Sequence, residues 1–361
     1  MKVQFNSIVS RVSQVRTEYL IGVYALLSWL AINMLFSFIG IDWVNNSDSG
    51  WYLDVALNLT PFDSAVVIGY PLLWRALIEI VPDPSLTVTM GQIINVICFV
   101  GFAVITYRLM ITLNIQQPAL AALLIIFVPL TGVTSVIQPR ANALLLLLVF
   151  SSIWLYATNR SLLFALVVSL IPLVHRSALP FVGMIVLIAL WERKIRLRML
   201  LIIVTPLAIY WLIGISQGQD LIWYLRGYAN NDSISGLPLF DGLIGTLILG
   251  VRGSMPDLLQ GTFLGAYVIL AIFLLIKGVW HNQKVLLALI VPPIFLVAVQ
   301  PADEVWAAYN YTRFLLVPTF LFFQGVRWYP PGKAVVSHGI VIFFFITQVI
   351  WSLYTVWYLA N

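Results

Sequence analysis

"YLIGVYALLSWLAINMLFSFIG", residues 19–40, runs for 22 positions without a charged side chain. A helix of that length spans a hydrocarbon core about 30 Å thick, and in lipid a helix satisfies all its backbone polar groups internally. Lys2, Arg11 and Arg16 precede the run. It is too long for a signal-peptide core and lacks a small-residue cleavage site, so it reads as a retained first helix. The whole chain has the same character. Its 361 residues are 61% hydrophobic and 9% charged, with a mean hydropathy of +0.99, whereas soluble domains carry about a quarter charged residues. Further apolar runs at 87–107, 119–136, 141–157, 161–174, 177–191, 199–215, 261–279, 285–299, 314–326 and 335–358 predict an all-α, polytopic transmembrane helical bundle of about 11 spans. The alternating ten-residue strands of a membrane barrel are absent. No repeat, linker or soluble domain is evident, so residues 1–361 read as a single integral membrane domain.

Charge sets the expected orientation. The basic N-terminus and "WERKIRLR" (191–198) are cytoplasmic by the positive-inside rule. Alternating from them puts Arg108, Arg160, Lys277, Lys284, Arg327 and Lys333 inside as well, provided residues 64–82 do not cross. That segment contains Pro71, Arg75 and Glu79 and reads as an amphipathic or re-entrant helix at the outer interface, within a first outer loop over 41–86. A larger outer loop, 216–258, is too aromatic for a disordered linker. All five lysines then lie inside, and every remaining outer cation is an arginine: Arg75, Arg140, Arg176, Arg226, Arg252 and Arg313. Arg also snorkels and pairs with outer acids. However, three of the six sit at helix ends between short spans, where solvation is poor, and Arg is suited to bidentate phosphate recognition.

The first outer loop carries "SDSGWYLDVALN" (47–58). Asp48 and Tyr52 are spaced i, i+4, with Ser47 or Asp48 a natural N-cap and Gly50 easing the entry to a helix. Trp51 and Tyr52 suit the aromatic belt, and "GYPLLWRALIEI" (69–80) adds Tyr70 and Arg75 beside the acid. Arg140 opens a span after Pro139 and needs an acid or a lipid phosphate as partner. In "SLIPLVHRSALPF" (169–181), His175 and Arg176 interrupt an apolar stretch flanked by Pro172 and Pro180. A broken backbone at membrane depth is tolerated where it is buried in protein or lines a wet cavity. Arg313 stands at the outer mouth of a later span.

Several chemistries find no residues to carry them. Gly-rich phosphate loops, HExxH and Asp-x-Asp pairs are missing, and the three histidines (175, 281, 338) do not suit a His-based metal site. No cofactor is expected, although the plentiful outer acids are compatible with a divalent cation. Cys98 stands alone, so there is no disulfide framework, and no basic stripe on a soluble face supports nucleic-acid binding. What gathers at the outer face is a carboxylate, arginines, one histidine and aromatic rings. Rings stack on sugars, arginines neutralise phosphate, and a carboxylate takes a proton from a hydroxyl.

These residues resemble the GT-C superfamily of polytopic glycosyltransferases, which use polyprenyl-linked sugars on the non-cytoplasmic side. Asp48 and Tyr52 in "DSGWYLDVA" match its first-loop Asp followed four residues on by Tyr, and Tyr70 to Leu73 supply its "YPLL" element. The middle of the chain is similar to EpsG/Wzy-type polysaccharide polymerases. Arg140 heads a span, "HRSA" (175–178) follows one hairpin later, and "TRFLL" (312–316) matches their C-terminal Arg-Phe. The likeness covers most of residues 40–320 through short motifs, and it departs at Arg140-Ala141, where the polymerases have Arg-Gln.

The resemblance implies a glycosyltransferase of the bacterial inner membrane with a cytoplasmic N-terminus. It would act on a polyprenyl-(di)phosphate-linked donor and an acceptor glycan, in company with membrane lipids and other polysaccharide-assembly membrane proteins. Asp48 would be the base, with Asp54 as fallback, and His175 would orient the phosphate or exchange a proton with it. Arg140, Arg176, Arg313 and Arg75 would hold the phosphate, while Trp51, Tyr52, Tyr70, Trp223 and Tyr224 line the sugar path. A GT-C transferase adding one sugar from a polyprenyl-monophosphate donor, and a lipid-linked sugar flippase, remain open alternatives.

Overall fold

A computed structural model describes residues 2–40, 49–58, 67–114, 118–119, 122–123, 139–221 and 223–224. All regular structure among them is helical, with no strand. The expected spans at 119–136 and from residue 261 onward lie outside the described residues, apart from short pieces of the former. The helices are α1 (Lys2–Ile39), α2 (Ser49–Asn58), α3 (Gly69–Ile80), α4 (Thr87–Thr112), α5 (Asn142–Ala157), α6 (Ser161–Val174), α7 (Leu179–Trp191) and α8 (Leu197–Ser216). Among the described residues, three stretches are long and apolar enough to cross a membrane: Ser13–Met34, Pro84–Thr112 and Leu197–Ser216. The shorter apolar helices α5, α6 and α7 fall within two residues of the runs read from sequence at 141–157, 161–174 and 177–191. At 38 residues, α1 begins well before the apolar run. A helix of that length reaches roughly 57 Å, so part of it must extend beyond a bilayer core.

The helices form two compact units, α1 to α5 in one and α6 to α8 in the other. In the first, α1 runs antiparallel to α4. Gly22 faces Val100 and Val104, and one turn earlier, near the middle of α1, Glu18 pairs with Arg108 at 2.7 Å. In contrast, α4 and α5 are parallel. Gly91 lies against Pro139 and Gly101 against Leu147, Phe102 meets Phe150 edge-on at 4.9 Å, and Arg108 lies over Trp154. The chain therefore reaches Pro139 at the end of the unit where α4 starts. Gly91 permits a very close approach, since a Cβ there would stand 2.7 Å from both Pro139 and the Trp74 ring.

α3 docks on the start of α4 through Tyr70, Pro71 and Trp74, which are buried. Pro71 is tolerated because it stands in the first turn. The Trp74 indole donates to Thr87 O at 2.7 Å. Leu72, Leu73, Ala76 and Ile80 stay exposed, an apolar strip separate from the docked face. Arg75 binds Glu79 at 2.7 Å and donates to Leu57 O at 2.9 Å. The latter bond caps the last turn of α2, where unpaired carbonyls and the helix dipole favour a cation.

In the second unit, α6 packs against α7 and α8. α6 ends just after Pro172, a 3₁₀ turn covers Arg176–Ala178, and α7 opens with Pro180 in its first turn. α7 and α8 stop alike. Lys194 N bonds back to Ala189 O and Gln219 N to Gly214 O, with Arg193 and Gly218 in left-handed conformation, the pattern of a Schellman cap.

Candidate functional site

The residues singled out from sequence divide between the two units, with Asp48 and Arg313 outside the described residues. α2 begins at Ser49, immediately after Asp48, and buries Ser49, Tyr52, Val55 and Ala56 on one face. Trp51 points away, 61% exposed. Asp54 is also exposed and accepts a hydrogen bond from the Asn58 amide.

Tyr52 meets Tyr70 edge-to-face at 5.5 Å, and Tyr70 meets Trp74 at 6.0 Å. The Tyr70 hydroxyl lies 3.0 Å from Gly91 O and 2.9 Å from Asn95 Oδ1, sharing its proton between two acceptors. Burial first, then the neighbouring Cys98 and Tyr52, pushes the Tyr70 phenol well above the usual tyrosine value. It therefore stays protonated and can only serve as a neutral donor at physiological pH. Tyr52 and Tyr70 are thus packed rings that fix α2 and α3, and between these two and Trp51 the exposed π-face belongs to Trp51.

Arg140 is 5% exposed, in the turn that leads into α5, with Pro139, Ala141 and Asn142 buried around it. Burying a guanidinium costs several kcal/mol unless its charge and donors are engaged. Asn95, Asn142 and Ser49 are further buried polar side chains of the same unit. Sequence reading passed over Asn95, Asn142 and Trp74. The available signal for Asn95 was an amide within an apolar run, four residues after a glycine and three after Gln92.

In the second unit, His175 and Arg176 are both half-buried at the break between α6 and α7. The Arg176 guanidinium lies 5.9 Å from the centroid of the Tyr224 ring. Tyr224 and Trp223 are themselves buried, in a cluster with Tyr210 and Trp211. Trp223 fills a notch that exists because residue 214 is glycine. Arg176 and Tyr224 are thus brought together, and Tyr52 with Tyr70, whereas Arg75 is engaged by Glu79 and Leu57. Among the described residues no group of three His, Cys, Asp or Glu side chains could hold a metal ion. Comparison with protein-family models, characterised proteins and solved structures gave no match.

Proposed function

We propose that this protein is a glycosyltransferase of the bacterial inner membrane, with about 11 spans. In this reading it works at the outer face on polyprenyl-(di)phosphate-linked saccharides and joins repeat units of a cell-surface polysaccharide. The observation that carries the proposal is Arg140, a guanidinium 5% exposed at the head of an apolar helix. Ionisable groups buried among membrane helices are costly and by default mark function. A guanidinium engages an anionic phosphate through strong charge-assisted hydrogen bonds. The parallel course of α4 and α5 supports the topology, since one span between them is what the alternation of charges requires.

The chemistry follows from the residue types. The acceptor hydroxyl attacks the anomeric carbon, and its proton passes to the Asp48 carboxylate. The bond from the anomeric carbon to the phosphate oxygen breaks, with its electron pair leaving on the polyprenyl (di)phosphate. Arg140, Arg176 and Arg313 hold that departing charge, the kind of electrostatic stabilisation that contributes most to such transfers. His175 orients the phosphate or exchanges a proton with it, and Trp51 offers an exposed ring to the sugar.

The test is turnover by purified, reconstituted protein with two donors: a polyprenyl-diphosphate oligosaccharide, and a polyprenyl-phosphate monosaccharide with a separate acceptor. Lengthened products from the first support the polymerase. A single added sugar from the second would make it a monosaccharide transferase. Binding of either lipid without product would point to a flippase and overturn the enzyme. Asp48→Asn should abolish turnover while the protein stays folded and inserted, and retained activity would remove Asp48 from the mechanism.

A further inference from the structure

Tyr224 makes two contacts that simple ring packing does not require. Its hydroxyl donates to Pro172 O at 2.6 Å. Pro172 stands in the last turn of α6, where carbonyls run out of intrahelical partners. Its ring also lies under the Arg176 guanidinium, 5.9 Å from centroid to Cζ. One buried side chain therefore touches the end of α6 on one side and the first residue of the following 3₁₀ turn on the other.

Tyr224 is itself fixed from α8. The chain turns back at Gly218, held by Gln219 N to Gly214 O at 3.1 Å and Trp223 N to Asp220 O at 3.2 Å. The Trp211 indole donates to Leu221 O at 2.9 Å. Trp223 packs over Gly214, and Trp211 stacks on Tyr224 with an interplanar angle of 28°. The ring is thus set by α8 before it meets α6.

We infer that Tyr224 is a positioning residue: anchored on α8, it caps the broken end of α6 and holds the Arg176 guanidinium in the orientation in which it meets a phosphate. The inference rests on the phosphate role proposed above for Arg176, and it gives Tyr224 a task other than stacking on a sugar. The ring supplies a cation–π contact that fixes the plane of the guanidinium. The hydroxyl fixes the distance of the turn from α8.

The test uses the full-length protein in detergent, with Tyr224→Phe, Tyr224→Leu, Arg176→Gln and the double variant Tyr224→Leu/Arg176→Gln. Tyr224→Phe keeps the ring in its cluster and removes only the hydroxyl, so it remains informative if the leucine variant folds poorly. The first readout needs no ligand: the rate at which phenylglyoxal modifies Arg176, followed on the isolated peptide. Losing the ring should raise that rate about tenfold, the scale of a partly desolvated cation–π contact, and losing the hydroxyl by about threefold. An unchanged rate in both variants overturns the inference.

The second readout is the Kd for farnesyl diphosphate as a short polyprenyl diphosphate. Tyr224→Leu and Arg176→Gln should each weaken binding about tenfold, and the double variant no further than either, because coupled residues are not additive. Fully additive losses overturn the positioning role. If Arg176→Gln leaves Kd unchanged while Tyr224→Leu still exposes Arg176 to phenylglyoxal, the phosphate assignment fails but the hold of Tyr224 on Arg176 stands.

Discussion

Alanine at Gly91 should loosen the docking of α3 on α4. The added Cβ would stand 2.7 Å from Pro139 Cβ and from Cε2 and Cζ2 of Trp74, against about 3.5–4.0 Å for an unstrained carbon–carbon contact. Relief needs a movement of roughly 1 Å, and neither neighbour gives easily. Trp74 is buried and tied to Thr87 O at 2.7 Å, while Pro139 leads directly into buried Arg140. Such overpacking costs about 1–3 kcal/mol, and the helix preference for alanine over glycine returns up to about 1 kcal/mol. With the full return the net loss is about 0–2 kcal/mol.

Two other glycines calibrate the measurement. A Cβ on Gly22 would meet Val100 and Val104 at 3.5 and 3.7 Å, ordinary contacts, so Gly22→Ala should stabilise by about 0.5–1 kcal/mol. On Gly101 it would meet the flexible end of Leu147 at 3.2 Å, so Gly101→Ala should come out near zero. Thermal unfolding of the three variants in detergent, followed by tryptophan fluorescence, should rank them Gly22→Ala, Gly101→Ala, Gly91→Ala. The ends of the series should differ by about 0.5–3 kcal/mol, or roughly 1–4 °C in Tm for a chain of 361 residues. A Gly91→Ala protein as stable as Gly22→Ala would refute the docking of α3 through this contact.

Three further outcomes are expected. Arg193 holds φ +56° at the end of α7, so Arg193→Gly should raise the unfolding temperature by relieving about 1 kcal/mol of left-handed strain, whereas Gly218→Ala, at φ +90°, should lower it. Asp83 accepts from Ser85 N at 2.9 Å and Ser85 Oγ at 2.7 Å, and these bonds hold its carboxyl below the usual aspartate value. The stabilisation is therefore fully present above the unfolded value, about 3.9, and is lost as pH falls through the lower folded value. The Tm gap between the parent and Asp83→Ala should accordingly be constant from neutral pH to about pH 5 and close toward pH 3. Glu18 and Arg108 should show a coupling of about 0.5–2 kcal/mol in a double-mutant cycle; a cycle that closes to zero would mean that other contacts set the register of α1 on α4.

The helices were legible in the sequence wherever hydropathy alone forms them. The starts and ends of α5, α6 and α7 follow from apolar runs broken by "ATNR", "VHRS" and "WERK", because a polar tip between two greasy segments has one place to go. Helix α3 was legible from its mixture of Pro71, Arg75 and Glu79 with apolar residues, whereas its docking through Trp74 was not. The N-terminal reach of α1 was not, since hydropathy reports on lipid contact and says nothing about a helix that continues past it. Arg140 and Arg176 were visible as charges in the wrong solvent. Asn95 was not picked out, because an amide in an apolar run looks the same whether it faces lipid, a ligand or a tyrosine.

What the sequence by itself determined is the solvent of the chain and the location of its polar interruptions. Both depend on local composition, and local composition is enough to decide whether a segment prefers water or hydrocarbon. Only the tertiary structure decided which aromatic rings are available. Tyr52, Tyr70, Trp223 and Tyr224 read as one class with Trp51, yet four are buried and one is exposed. For Trp223 that difference rests on Gly214, and Trp74, beside Tyr70, has the same need of Gly91, each missing Cβ making room for an indole. A void of that kind depends on two segments meeting, and neither segment encodes it alone.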